Sequence, residues 1–215
     1  MPVLARAALH NDTPCQDVRI ERLRLFTLQS GMDADDSSFL DTATSVVARY
    51  GMKRTTMDDL ARAVGVSRQT LYDRFGDKDG VMAAVIHHMA KRLCRELRAA
   101  FVERSDLAEK LDAYFEIAVW PTYELMQAMP DAVDFEKGMG PASTAASREG
   151  SELKRAILAD MLRPLFATGT HPPENVAAYV EQASSRAKMS DISSDELERF
   201  LAVLKASVVA LASRP

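Results

Sequence analysis

Glycines at positions 51, 65 and 76 cut what would otherwise be one helical pattern into short pieces. Before the first cut, Phe39, Leu40, Ala43, Val46, Val47 and Tyr50 recur at the i, i+3/i+4, i+7 spacing of an amphipathic helix, with Ser38 as the expected N-cap and Gly51 as the stop. The second piece starts with Thr56 as N-cap and Asp59 at the third helical position. It carries Met57, Leu60, Ala61 and Val64 on one face and ends at Gly65. The third is capped by Ser67, turns Leu71 and Phe75 inward and breaks at Gly76-Asp77. From Lys78 a longer helix carries Val81, Val85, Met89 and Leu93. Ala61 lies four residues before Gly65 and Leu71 six after it, the spacing of a helix-turn-helix. A small residue is needed where two helices cross closely, and a glycine takes the left-handed turn at no steric cost. Val64, Val66 and Leu71 then fix the crossing angle.

That geometry leaves the outer face of helix 67–75 free to enter a major groove about 12 Å wide. Placing its residues 100° apart puts Gln69, Thr70 and Asp73 opposite the inward Leu71 and Phe75, aimed at base edges. Tyr72 and Arg74 flank that arc within reach of phosphates, and Arg68 in the first turn reaches a guanine or a phosphate. Ser67 and Thr56 cap helix N-termini, which favour anions. Lys53, Arg54 and Thr55 precede the second helix and Lys78 opens the fourth, all placed for backbone contacts that set register and salt-dependent affinity.

The remaining chain also reads as helix. Asp106 to Glu109 forms a capping-box-like start, and Leu107, Leu111, Tyr114, Phe115 and Ala118 follow until Pro121 forces a break or kink. Residues 130–150, rich in Gly, Pro, Ser and acid, read as a loop. Helical spacing resumes through Leu153, Ile157, Met161 and Phe166, then after Pro172-Pro173 with Val176, Val180 and Ala183, and last with Leu197, Phe200, Leu201, Leu204, Val208 and Leu211. Aromatic and methionine side chains gather around the Pro121 break. Core packing accounts for such a cluster; so does a ligand pocket, with Phe115, Val119, Trp120, Tyr123, Met126, Met129 and Met161 as candidate lining. The C-terminal stripe of Leu197, Leu201, Leu204, Val208 and Leu211 suits a two-fold helical interface.

The chain has 215 residues, with 27 basic against 31 acidic side chains and a net charge of −4. The charge is uneven: residues 37–104 carry 12 basic and 8 acidic side chains, whereas residues 105–215 carry 11 and 17. A basic block beside an acidic one suits a polyanion-binding head on an acidic body. No apolar run approaches a membrane span, and no signal-peptide pattern precedes the first polar residues, so a cytoplasmic protein without a membrane partner is expected. Cys15 and Cys94 are the two cysteines and form no disulfide framework. His87 and His88 point about 100° apart on a helix and do not chelate one ion, so no metal and no cofactor is expected. Nucleophile elbows, phosphate-cradling glycine loops and paired-carboxylate motifs are absent, which argues against an enzyme. Residues 1–36 show no sustained period; a loosely ordered arm and a start-site artefact with Met32 as initiator both fit them.

The run TTMDDLARAVGVSRQTLYDRFGDKDGVMAAV at residues 55–85 resembles the DNA-binding signature of TetR-family transcriptional regulators. It has the threonine-led second helix, the V-G-V-S turn, the L-Y-x-x-F recognition helix and the lysine beyond it; Phe39, Ala43 and Tyr50-Gly51 are similar to that family as well. The resemblance implies an all-α homodimer, joined through its two C-terminal helices and acting as a repressor on a palindromic double-stranded DNA operator. A small-molecule effector would bind the larger C-terminal domain and change the separation of the DNA heads. The implied organisation is an extension at 1–36, a helix-turn-helix domain at 37–84 and a helical effector and dimerisation domain at 85–215. Gln69 replaces a residue that is often small in the family, and Asp73 one that is often histidine or aromatic, so the operator of a relative does not transfer. An orphan or architectural regulator without an effector, and a helical enzyme or carrier that has lost DNA binding, are the competing readings.

Overall fold

The computed structural model describes residues 34–128, 138–166, 170–189 and 191–213. The chain divides into units at Ser37/Ser38. The first is described only from residue 34, where it is helical, so the expectations for residues 1–33, Met32 included, lie outside the described residues, as does Met129. The second unit is all-α, with no strand among the described residues.

The helices are α1 (Ala34–Tyr50), α2 (Met57–Val64), α3 (Arg68–Phe75), α4 (Lys78–Val102), α5 (Leu107–Ala118), α6 (Trp120–Ala128), α7 (Pro141–Phe166), α8 (Pro173–Lys188) and α9 (Ser194–Ala212). Local chemistry sets most of these limits. Thr56 Oγ1 accepts from the Asp59 N–H while the Asp59 carboxylate accepts from the Thr56 N–H, a complete capping box, and α2 ends on Gly65 at φ 80°. Ser67 caps α3, Asp77 caps α4, Asp106 caps α5 and a Ser193–Glu196 box caps α9. Pro121 separates α5 from α6 at the expected place.

Two hydrophobic cores result. The first gathers Phe39, Leu40, Ala43, Val47, Leu60, Leu71, Val81, Met82 and Val85 from α1 to the start of α4. The second gathers Leu97, Leu111, Tyr114, Leu158, Leu162, Val180, Leu197, Leu201 and Leu204 from the rest of α4 to α9. Helix α4 serves both, so the first and second cores share one continuous 25-residue rod.

Three expectations need correction. Ser38 is not an N-cap: α1 begins at Ala34, and Ser38 lies inside it with its carbonyl accepting from Thr42 Oγ1. Residues 141–150 are not loop but the first ten residues of α7, started by Pro141 at a position where its missing N–H costs nothing. Gly150 is tolerated inside that helix because a Cβ there would stand 3.2 Å from Ala90 Cβ, where α4 and α7 pack closely. Finally, the C-terminal stripe does not face outward. Leu197, Leu201, Leu204 and Val208 are 0–4% exposed in the chain's own core, while Phe200 and Val203 face solvent.

Candidate nucleic-acid interface

The α2–α3 pair is held from inside by Leu60 and Leu71, each 0% exposed, with Ala61 at the crossing. The Ala61 carbonyl accepts from both the Gly65 and Val66 N–H groups, so the turn closes on itself before Ser67 starts the next helix. With Leu71 pinned, the opposite arc of α3 points away from the core, and Gln69, Thr70 and Asp73 are all exposed. Gln69 Nε2 donates to Asp73 Oδ1 at 2.7 Å, one turn on, so the two side chains form a single unit. Thr70 folds back on the cap: its N–H donates to Ser67 Oγ, and the two hydroxyls lie 2.8 Å apart.

The cations flanking this arc are individually tethered. Arg68 Nε lies 3.0 Å from Asp58 Oδ1 on α2, and Arg68 Nη2 donates to Tyr72 Oη at 3.4 Å. Its guanidinium also stands 5.8 Å from the Tyr72 ring centroid. Arg74 covers two aromatic faces, 5.1 Å from Phe39 and 5.3 Å from Phe75, which themselves stack at 5.2 Å between α1 and α3. Lys53 and Arg54 are exposed in the loop before α2, and Thr56 Oγ1 donates to Asp59 Oδ2 at 2.6 Å. Lys78 Nζ donates to the Lys53 carbonyl at 2.9 Å, and its partial burial lowers its pKa.

Thr55 departs from the sequence expectation. Its side chain is 1% exposed and its hydroxyl donates to the Gly51 carbonyl at 2.8 Å, so it braces the turn after α1 instead of facing a ligand. Of the others, Ser67 caps α3 and Arg68, Gln69, Thr70, Tyr72, Asp73 and Arg74 lie on it; Lys53, Arg54 and Thr56 lie between α1 and α2, and Lys78 at the start of α4 is tied to that loop through the Lys53 carbonyl. Sequence reasoning missed Asp58 as the anchor of Arg68. It also missed Asp41, whose carboxylate meets the buried His88 Nε2 at 2.8 Å and locks α1 to α4. Neither pair has a sequence signal, because the partners lie 10 and 47 residues apart on different helices.

Of the candidate pocket residues that are described, five lie around the α5–α6 break and Met161 lies on α7. Phe115, Val119, Tyr123 and Met126 are buried, while Trp120 and Met161 pack partly buried against the second core. Tyr123 Oη donates to the Ile192 carbonyl at 2.7 Å, and its ring meets Trp120 edge-on at 5.8 Å. Among the described residues no cluster of three metal-ligating side chains occurs, and no helix is long and apolar enough to cross a membrane.

Residues 39–85, the segment that builds this interface, match the family model of bacterial regulatory proteins of the tetR family. The HTH-type transcriptional regulator BetI of Agrobacterium fabrum is 30% identical over 81 residues, 38% of this chain and 39% of that protein. An HTH-type transcriptional repressor of Mycobacterium tuberculosis is 25% identical over 119 residues, 53% of this chain and 63% of that protein. The chain thus spans well under half the length of the first of these relatives. Its fold is similar over most of its length to a crystal structure of a TetR-family regulator from Pectobacterium atrosepticum, with TM-score 0.60, 23% identity, and coverage of 92% of this chain and 98% of that one. The FadR regulator of Bacillus subtilis, solved in complex with stearoyl-CoA, superposes with TM-score 0.60 at 14% identity, over 81% of this chain and 96% of that one.

Proposed function

We propose that the chain, whose residues 39–85 match the family model of bacterial regulatory proteins of the tetR family, is a TetR-family regulator that acts as a homodimeric transcriptional repressor on a palindromic operator. The observation that carries this reading is the exposed Gln69, Thr70 and Asp73 arc on a helix whose opposite side is pinned by the fully buried Leu71. A polar edge standing clear of its own core is what a major groove accepts. Gln69 and Thr70 read base edges, with Asp73 orienting Gln69. Lys53, Arg54, Lys78 and the capped starts of α2 and α3 hold phosphates. Arg68 reaches DNA by exchanging Asp58 for a phosphate or a guanine.

The surface of α8 and α9 supports the dimer. Tyr179 is 48% exposed, Phe200 39% and Val203 67%, large apolar side chains on the two C-terminal helices that a second copy would cover. The effector site lies where Phe115, Val119, Trp120 and Tyr123 of the α5–α6 break meet the second core with Met161 of α7, and includes the buried Met126 of α6. A ligand there that favours the DNA-incompetent arrangement lowers operator occupancy by its preference for that state. A second reading, a regulator without an effector, draws support from the burial of Phe115, Val119, Tyr123 and Met126, side chains that core packing alone accounts for.

In vitro selection of binding sites followed by mobility shift tests the primary reading. A two-fold site bound at physiological salt supports it, and recovery of no preferred sequence overturns it. A thermal-shift and operator-release screen with metabolites, lipids and drugs then separates effector-controlled from effector-free regulation.

A further inference from the structure

Helix α7 starts without a side-chain cap from its own sequence, and the partner that satisfies its free N–H groups comes from another helix. The Asp79 carboxylate, in the first turn of α4, accepts from the backbone N–H groups of Gly140 (3.1 Å), Ala142 (2.7 Å) and Ser143 (3.2 Å). It also accepts from the Ser143 hydroxyl, whose side chain is fully buried. The approach is so close that a Cβ on Gly140 would fall 2.5 Å from the Asp79 carboxylate, so a side chain there would push the carboxylate and the start of α7 apart. Burial raises the Asp79 pKa, but the bonds from Ser143, Ala142 and Gly140 outweigh it and hold the carboxyl below its ordinary value. Asp79 adjoins Lys78, whose ammonium grips the Lys53 carbonyl at the edge of the candidate interface.

Further along, α7 is tied just as firmly to α8. Lys154 Nζ and Arg155 Nε lie 3.2 and 2.9 Å from the carboxylate of Glu181, a residue of α8 that is 1% exposed. Along its middle, Glu149 meets His87 of α4 at 2.9 Å. One helix therefore links α8, one of the two helices proposed to dimerise, to the corner that carries Lys78 and Lys53, and Asp79 is the latch at that corner.

We propose that Asp79 is a positioning residue that fixes the angle of each DNA-reading head on the dimer and thereby sets the spacing of operator half-sites the protein accepts. The inference rests on the dimeric DNA-binding reading above. Sliding one half-site by a base pair moves it roughly 3.4 Å and turns it by about 35°. A head latched to α7 cannot follow that displacement. With the latch open, the head is held by α4 and by Met139 packed against the first core, a looser tie that lets it swing to meet the displaced half-site.

The test compares wild type, Asp79→Asn and Gly140→Val in mobility shifts on the selected operator and on versions with its central spacer one base pair longer or shorter. Asp79→Asn keeps the size but loses the charge and most of the accepting capacity; Gly140→Val keeps the charge and forces α7 off the carboxylate. Wild type is expected to lose affinity about tenfold or more per base pair of misfit, and both variants about threefold or less. Base preference within each half-site should stay unchanged in all three. Variants as strict as wild type overturn the latch, as does a changed half-site preference, which would mean that Asp79 reads bases. A wild type indifferent to spacing overturns the paired-site reading itself. Circular dichroism at each titration temperature confirms that all three proteins are folded, and the two variants open the latch by different routes, so failure of one to fold leaves the other as the test.

Discussion

The ammonium of Lys188, the last residue of α8, is buried at 8% exposure and donates to the Ala118 carbonyl at 3.1 Å, where α5 ends. Burial and the nearby Lys154 push its pKa down, Glu181 pulls it up, and the balance brings it from 10.5 to about 7. Below pH 7 the native state carries the charged form, as the unfolded chain does. Its burial then costs the fold about 5 kcal/mol, since each pH unit between 10.5 and 7 is worth about 1.36 kcal/mol. Between pH 7 and 10.5 the native state sheds that proton while the unfolded chain keeps it, so the cost shrinks as pH rises; at pH 9 about 2 kcal/mol remains. Stability should therefore rise by about 3 kcal/mol from pH 6 to pH 9. Above pH 9 the rise is opposed, because burial raises the pKa of both the Cys94 thiol and the Tyr114 phenol, and the unfolded chain loses those protons first. The Glu181 carboxyl is pushed up by burial, but the Lys154 charge and the bond from Arg155 outweigh this and hold it low, so its contribution is lost only in acid, well outside this window. Lys188→Met keeps the volume, removes the titration and forfeits one hydrogen bond worth about 1 kcal/mol. Urea unfolding followed by circular dichroism, at one protein concentration from pH 6 to 9, should show a sloping profile for wild type and a profile flat to about 1 kcal/mol for the variant. At pH 6 the variant should be the more stable protein. Equal slopes in the two, or a wild-type stability that falls over this range, would refute the reasoning.

Leu71→Ala, at a position with 0% exposure, should cost about 2–5 kcal/mol in urea unfolding and abolish operator binding, since it unpins α3 from α2. Gly65→Ala should cost less, about 1–2 kcal/mol, because a Cβ there meets nothing within 4 Å and the penalty is the φ of +80° alone. Lys78→Ala should weaken binding to all sequences alike and flatten the salt slope by roughly one unit, whereas Gln69→Ala should alter preference at particular base pairs by about 1–3 kcal/mol. A uniform loss from Gln69→Ala would show that α3 is wrongly oriented on the groove. Val203→Glu, at a site 67% exposed, should convert a dimer to a monomer in sedimentation while leaving Tm within a few degrees at matched protein concentration.

The helix-turn-helix was legible in the sequence almost residue by residue. Its limits are set by groups at most four residues apart: Thr56 with Asp59, Ser67 with Thr70, and Gly65 with Ala61. The Pro121 break is equally local, since a ring without an N–H interrupts a helix whatever surrounds it. Exposure of Gln69, Thr70 and Asp73 follows from helical period once Leu71 is buried. The start of α7 was hidden because its cap is Asp79, more than 60 residues upstream, and Gly150 reads as a breaker until Ala90 is set against it. The stripe on α9 was recognised, but a stripe says only that a helix has an apolar face; α5 and α8 take that face into the chain's own core, leaving Phe200 and Val203 outside. Thr55 and Lys188 are polar in sequence and buried in the fold, accepted there because the Gly51 and Ala118 carbonyls lie within reach. Torsional preference and capping act over one turn and are written in the chain itself, whereas the partner of a buried charge or an apolar face is chosen only when distant helices meet.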